Sequence, residues 1–130
     1  TAVHALAVIA YLPERQATSD QIAASVATEA SVVRRLLSGL REARLVRAAE
    51  GRDGGYRLAR AAELITLQDI YEAVAPPSLF PVPDRLPNPG CPIGAGIHSV
   101  LDRPLAEASR ALGQQLARTT LADVLRALTP

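Results

Sequence analysis

The sequence has 130 residues, of which 48% are hydrophobic, 21% charged and 3% aromatic, and its net charge at pH 7 is +1. This composition excludes an intrinsically disordered chain and predicts one domain, or one domain with an extension, around an aliphatic core. No apolar run approaches the roughly 20 residues of a membrane-spanning helix, and the single cysteine excludes an intrachain disulfide and indicates a reducing, cytoplasmic location.

The first part of the chain has the pattern of three helices. Apolar spacing predicts a helix over 2–12, and Thr18-Ser19-Asp20-Gln21 has the form of a capping box that begins a short second helix. A third helix is predicted over 28–43, after a tight turn. Its apolar face consists of Val33, Leu36, Leu37 and Leu40, and its opposite face carries Ser31, Arg34, Arg35 and Ser38.

A cationic hairpin is predicted directly after the third helix. LVRAAE (45–50) and YRLAR (56–60) read as strands, and Gly54 and Gly55 can adopt positive φ in the turn between them. From Arg34 to Arg60 the sequence carries eight arginines and three acidic residues, a local charge of +5. This order of elements is that of a winged helix-turn-helix: a short helix, a turn, a longer cationic helix and a hairpin. The longer helix of such a domain fits the major groove of DNA.

We therefore predict double-stranded DNA as the partner. Arg52, at the tip of the hairpin, is the candidate for the minor groove, where negative potential attracts a guanidinium. The candidate DNA-binding residues are Thr28, Glu29, Ser31, Val32, Arg34, Arg35, Ser38, Arg52, Asp53 and Arg57. The alternative is a protein-interaction module on the same scaffold, which would be favoured if the arginines of the helix and the hairpin lay on different faces.

The second half of the chain predicts a linker and a long helix. A capped helix over 66–74 is followed by a proline-rich loop over 76–92, and Pro104 is expected to kink the long helix after it or to mark a restart capped by Asp102. A narrow apolar seam on this helix predicts a homodimer interface, with packing on the chain's own winged domain as the alternative. The interface candidates are Leu101, Leu105, Leu112 and Leu116. A last short helix is predicted from Thr119 or Thr120, with its leucines, Leu128 included, buried.

The predicted fold class is therefore mainly α with a small β-hairpin wing. Residues 1–75 would form a winged helix-turn-helix, 76–92 a sensor or linker loop, and 93–130 the dimerisation helix and the C-terminal helix. We predict no enzymatic activity, because the sequence has no Ser-His-Asp pattern, no phosphate-binding glycine-rich loop and no cluster of metal ligands.

The segment LLSGLREARLVRAAEGRDGGYRLARAAELITLQDIYEAV (36–74) resembles the DNA-binding domain of the Rrf2 (Rrf-two) family of bacterial winged-helix regulators. The element GGY-x-LAR, followed by an Ile-Thr-Leu-x-Asp-Ile helix, carries the resemblance, which continues through CPIG to the C-terminus. Arg44 departs from it, since winged helices usually have glycine there. The resemblance implies a transcriptional regulator that forms a homodimer through the long helix, and we expect it to be a repressor that binds a palindromic operator.

The resemblance also raises the question of a sensor. Several family members hold an iron–sulfur cluster through three closely spaced cysteines before the long helix, whereas this sequence has Cys91 alone, with His4 and His98 scattered. We therefore expect no cluster and no metal. Cys91 stands before a helix, whose N-terminal dipole can lower the pKa of the thiol, and is the candidate redox sensor for an oxidant. A structural cysteine and a small-molecule effector without a redox role are the alternatives.

Overall fold

The computed structural model describes residues 1–51, 54–75, 78–81 and 84–129 of the chain. Its helices are α1 (Ala2–Tyr11), α2 (Ser19–Val26), α3 (Ala30–Glu42), α4 (Leu67–Val74), α5 (Pro92–Leu116) and α6 (Leu121–Leu128). Its strands are β1 (Gln16–Ala17), β2 (Val46–Ala48) and β3 (Tyr56–Leu58), which form an antiparallel sheet in the order β1-β3-β2. This mostly helical architecture with a small sheet confirms the predicted fold class.

Three helices begin with a capping box. The hydroxyl of Thr18, Thr66 or Thr120 accepts a hydrogen bond from the backbone N–H three residues on, and the side chain of that residue accepts from the threonine N–H. Each such capping box satisfies donors that the helix cannot satisfy itself, and losing a cap of this kind costs about 1 kcal/mol. The box at Thr18 confirms the predicted start of α2 and fixes the direction in which α2 leads to the turn before α3.

Both helices of the helix-turn-helix end at a residue with left-handed backbone. Ala27 follows α2 with φ 60°, and Arg44 follows α3 with φ 59°. At the end of α3 the N–H of Leu45 donates to the Leu40 carbonyl and the N–H of Arg44 to the Arg41 carbonyl, both at 2.9 Å. This is a Schellman motif, in which glycine is the usual left-handed residue. It turns the chain from α3 directly into β2.

The hydrophobic core joins the N-terminal helices to the C-terminal one. The N–H of Leu121 donates to the Ile65 carbonyl at 2.8 Å, so α6 is tied to the segment before α4 although the loop and α5 separate them in sequence. The largest fully buried side chains are Leu6, Ile9, Ile22, Val33, Leu37, Leu40, Leu45, Val46, Ile65, Ile70 and Leu121. Of the helices that the described residues form, none is long and apolar enough to cross a membrane.

The structure differs from the sequence-based expectations at three places. Strand β1, which pairs Gln16 with Arg57, was not predicted, because two residues carry no periodic pattern. Helix α5 is continuous through Pro104, so the predicted restart of the helix at Asp102 is wrong. The proline removes one N–H donor, and a helix of 25 residues keeps its other hydrogen bonds. Leu128 is 66% exposed rather than buried, since it lies in the last turn of α6.

Candidate nucleic-acid interface

The exposed face of α3 brings most of the candidate residues together. Helix α3 packs into the core through Val33, Leu37 and Leu40, all of them fully buried. Because these side chains lie on one face, the opposite face points to solvent. The predicted residues at the start of α3 and along it are all exposed: Thr28, Glu29, Ser31, Val32, Arg34, Arg35 and Ser38.

The N-terminus of α3 is chemically suited to meet DNA. Glu29 is the N-cap residue, and no side chain of a described residue caps the helix there. The first N–H groups of a helix have no intrahelical partner and form the positive end of the helix dipole, so they can donate to a phosphate. The Glu29 carboxylate, which accepts a hydrogen bond from the Ser31 hydroxyl at 3.4 Å, can instead accept from a cytosine amino group.

The wing is held against β1 by a close backbone contact. Gly54 and Gly55 have φ values of 54° and 95°, as predicted for the turn. A Cβ on Gly55 would lie 2.5 Å from the Ala17 carbonyl oxygen, so only glycine fits there. Arg52 and Asp53, the predicted residues at the tip, lie outside the described residues.

Arg57 has an internal role that the sequence did not reveal. Its guanidinium donates to the Glu14 carbonyl and to Gln16 Oε1, both at 2.9 Å, and the Gln16 amide donates to the Gly54 carbonyl. Glu14 and Arg15 have positive φ, which costs free energy in residues other than glycine. Arg57 therefore stabilises the strained turn before β1 and joins it to the wing. Only its remaining donors are available for phosphate.

The apolar seam of α5 divides into two parts. All 25 residues of α5 are described, and each keeps some exposure to solvent. Leu112 lines a cavity of about 740 Å³ between α4 and α5, and Leu116 lies with Ala2 and Ile70 around a second cavity of about 280 Å³. Leu101, by contrast, is 41% exposed. The C-terminal part of the seam thus faces the chain's own helices, and the N-terminal part faces outward.

Cys91 lies at the junction of the loop and α5. Cys91 is exposed, and it is the N-cap residue of α5. The backbone N–H groups of Gly94 and Ile93 at the start of α5 favour the thiolate and lower the pKa of Cys91 below its ordinary value. The loop is fixed to the first turn of α5, because a Cβ on Gly94 would lie 2.6 Å from the Asn88 carbonyl oxygen. Chemistry at Cys91 would therefore act directly on the start of α5.

The donors of one chain do not fit an iron–sulfur cluster. A cluster needs about four donors, typically thiolates, and Cys91 is the single cysteine of the sequence. His4 is engaged with the Ser25 hydroxyl at 3.0 Å, in the contact between α1 and α2. Within the part of the chain that the structure describes, no group of three or more His, Cys, Asp or Glu residues could hold a metal ion.

Comparisons with known proteins agree with this geometry. A family model described as "Rrf2: Iron-dependent Transcriptional regulator" matches residues 1–127. The chain is 35% identical over 128 residues to YwnA of Bacillus subtilis (strain 168), which is named as an HTH-type transcriptional regulator, and the alignment covers 98% of this chain and 93% of YwnA.

Two solved structures share the fold over most of their length. A Lactobacillus plantarum protein described as a transcriptional regulator is 25% identical, with a TM-score of 0.77, and the match covers 98% of this chain and 86% of that protein. IscR of T. potens is 23% identical, with a TM-score of 0.70 and coverage of 98% and 82%. The second likeness shows the fold alone.

Proposed function

Because the chain belongs to the Rrf2 family of DNA-binding transcriptional regulators, which are not enzymes, we propose that it is a homodimer that binds a palindromic operator and represses transcription in the cytoplasm. The match over residues 1–127 confirms the predicted family. The observation that supports specific DNA binding is the exposed polar and cationic face of α3, which stands beside a glycine-turned wing.

In this proposal α3 reads bases in the major groove. Arg34 or Arg35 can donate two hydrogen bonds to guanine, and the side chain of Val32, which is 46% exposed, can contact a thymine methyl group. Two such helices in a dimer would enter successive major grooves about 34–36 Å apart, which requires a palindromic operator. Arg52, which the sequence predicts at the tip of the wing together with Asp53, would enter the flanking minor groove.

The proposed dimer forms through the N-terminal part of α5. Ile93, Val100 and Leu101 are 72%, 70% and 41% exposed, an apolar surface that water covers in a single chain. Burial of such a surface against a second copy would be favourable by about 25 cal/mol per Å². Leu105, half-buried, lies at the edge of this surface, whereas Leu112 and Leu116 contribute less because they face the chain's own helices.

Regulation through the Cys91 thiol is the proposed response to oxidant. The thiolate attacks a peroxide oxygen, the O–O bond breaks with release of hydroxide, and the sulfur is oxidised to sulfenic acid. The added oxygen lies at the first turn of α5 and would shift the two recognition helices relative to each other. Mild peroxide should then change operator affinity in the wild type and leave Cys91→Ser unaffected. A small-molecule effector, the second candidate, would leave Cys91→Ser fully regulated.

The test of DNA recognition is selection of genomic fragments by the purified protein, followed by gel-shift titration at fixed salt. Arg34→Ala and Arg35→Ala should each weaken binding to the selected duplex by about 5- to 150-fold, since a good base contact contributes about 1–3 kcal/mol. The matched control is Arg103→Ala, which removes an exposed arginine from α5 and should have little effect. A wild-type protein without preference for any selected duplex would contradict the proposal and favour the protein-interaction module.

A further inference from the structure

Four arginines surround an open cavity at the C-terminal end of α3. The cavity has a volume of about 630 Å³, and we name it the arginine basin. It is lined by Arg41, Arg44, Val46, Arg47, Ala48, Ala59 and Arg60. Arg41, Arg44 and Arg47 lie within one short run, at the end of α3, in the turn after it and on the edge strand β2. The pairing of β2 with β3 brings Arg60, which follows β3, to the same place.

The positive charge of the basin is largely uncompensated by the described residues that line it. The described residues that line the basin include no Asp or Glu, and the ion pair recorded for its arginines is a long one, from Arg60 to Asp69 at 4.0 Å. Asp69 is already engaged with the Thr66 backbone N–H at 2.9 Å. Like charges held close together destabilise a folded chain. Arg44 adds backbone strain, because its φ of 59° suits glycine better than arginine.

The position of the basin follows from the geometry of α3. A helix of 13 residues is about 20 Å long, whereas the major groove is about 12 Å wide. Arg34, Ser38 and Arg41 follow one another at i, i+4 and i+7 along one edge of the exposed face. If α3 crosses the groove with its N-terminal end on base edges, its C-terminal end extends beyond the groove to the sugar–phosphate backbone beside it.

We propose that the arginine basin binds the phosphodiester backbone of DNA that borders the groove read by α3. This inference rests on the proposed function and adds a contact that fixes the depth and tilt of α3 without reading sequence. Guanidinium groups suit the task, because they stay charged and donate two parallel hydrogen bonds to a phosphate. The basin offers several guanidinium groups to one or two adjacent phosphates.

The test is the salt dependence of binding by the double variant Arg41→Gln/Arg47→Gln. The slope of log Kobs against log salt is negative, and each lost phosphate contact reduces its magnitude by about 0.9. We therefore expect the magnitude of the slope to fall by about 1 to 2 between roughly 50 and 200 mM salt. Affinity should fall by a similar factor for the selected duplex and for a scrambled one. The control, Arg103→Gln/Arg118→Gln, removes the same charge from α5 and the turn after it and should leave the slope unchanged.

Thermal unfolding distinguishes a binding role from a structural one. The double variant should unfold at the same or a higher temperature, because repulsion is relieved; if it fails to fold, the single variant Arg47→Gln is used instead. An unchanged salt slope in a folded variant would overturn the inference. Inorganic phosphate could also stabilise the wild type against thermal unfolding and fail to stabilise the variant, while the salt slope is the same for both proteins. The basin would then bind a small anion, and this result would also overturn the inference. A wild-type protein that does not prefer the selected duplex would overturn the proposed function, and the slope on the scrambled duplex would still decide the inference.

Discussion

Replacing Gly55 by alanine should destabilise the wing more than replacing either of the other glycines of the turn, Gly51 or Gly54, by alanine. The new Cβ would lie 2.5 Å from the Ala17 carbonyl oxygen and 2.9 Å from its carbonyl carbon, whereas Cβ atoms essentially never come within 3.0 Å of another heavy atom. Because the neighbour is backbone, β3 must move away from β1 or Gly55 must change its φ of 95°. Either movement disturbs the Gln16–Gly54 and Arg57–Gln16 hydrogen bonds.

The expected loss of folding free energy is about 2–6 kcal/mol. Backbone strain at one residue contributes about 1–3 kcal/mol. Each of the two hydrogen bonds contributes about 0.5–1.5 kcal/mol. A domain of this size has about 5–15 kcal/mol in total, so the variant should remain folded but with a melting temperature lower by on the order of 10 °C. Urea denaturation followed by circular dichroism, at one protein concentration for all variants, measures the difference.

Two glycines provide matched controls. Gly54 has a φ of 54° but open space around it, so Gly54→Ala carries only the left-handed penalty and should cost about 1 kcal/mol. Gly96 lies within α5, also in open space, and Gly96→Ala should stabilise the protein by about 0.5–1 kcal/mol. If Gly55→Ala costs no more than Gly54→Ala, the close contact between the wing and β1 does not exist and the reasoning is refuted.

Three further predictions concern assembly, the thiol and the end of α3. Leu101→Arg should convert the dimer to folded monomers in sedimentation experiments, because a charge would be buried in the proposed interface. The control Ala106→Arg, on the outer face of α5, should remain dimeric. A dimeric Leu101→Arg protein would place the interface elsewhere. The alkylation rate of Cys91 should rise at lower pH in the native protein than in denaturant, because two backbone N–H groups lower the pKa of the native thiol, and coincident profiles would contradict this. Arg44→Gly should raise the free energy of unfolding by about 1 kcal/mol and Ala43→Gly, at φ −75°, should lower it; equal effects would exclude strain at Arg44.

Local sequence signals predicted the helices and the exposed face of the candidate site. The apolar spacing of Val33, Leu37 and Leu40 placed Ser31 and Arg35 on the opposite, exposed face of α3, because the period of 3.6 residues is a property of the helix itself. The capping boxes and the positive φ of the wing glycines likewise depend on residues within a few positions of each other. These features were predictable without knowledge of the fold.

The roles of Arg57 and of the α5 seam were decided by the tertiary structure. Arg57 looked like a phosphate contact, but β1 lies beside β3 and supplies the Glu14 carbonyl and Gln16 as its partners. The seam pattern could not show which of its leucines meet α4 and which face outward, because a helical period gives the direction of a side chain but not what lies there.

By itself the sequence therefore determined the winged helix-turn-helix, its family and the surface of α3 that is available to DNA. Only the tertiary structure decided that Gly55 touches Ala17, that α6 shares a core with α1, and that Arg60 joins the arginines of residues 41–47 around one basin. The physical reason is that backbone periodicity, capping and turn preferences act between neighbours in the chain. Contacts between distant residues are set by how the elements pack, and no pattern within one element encodes them.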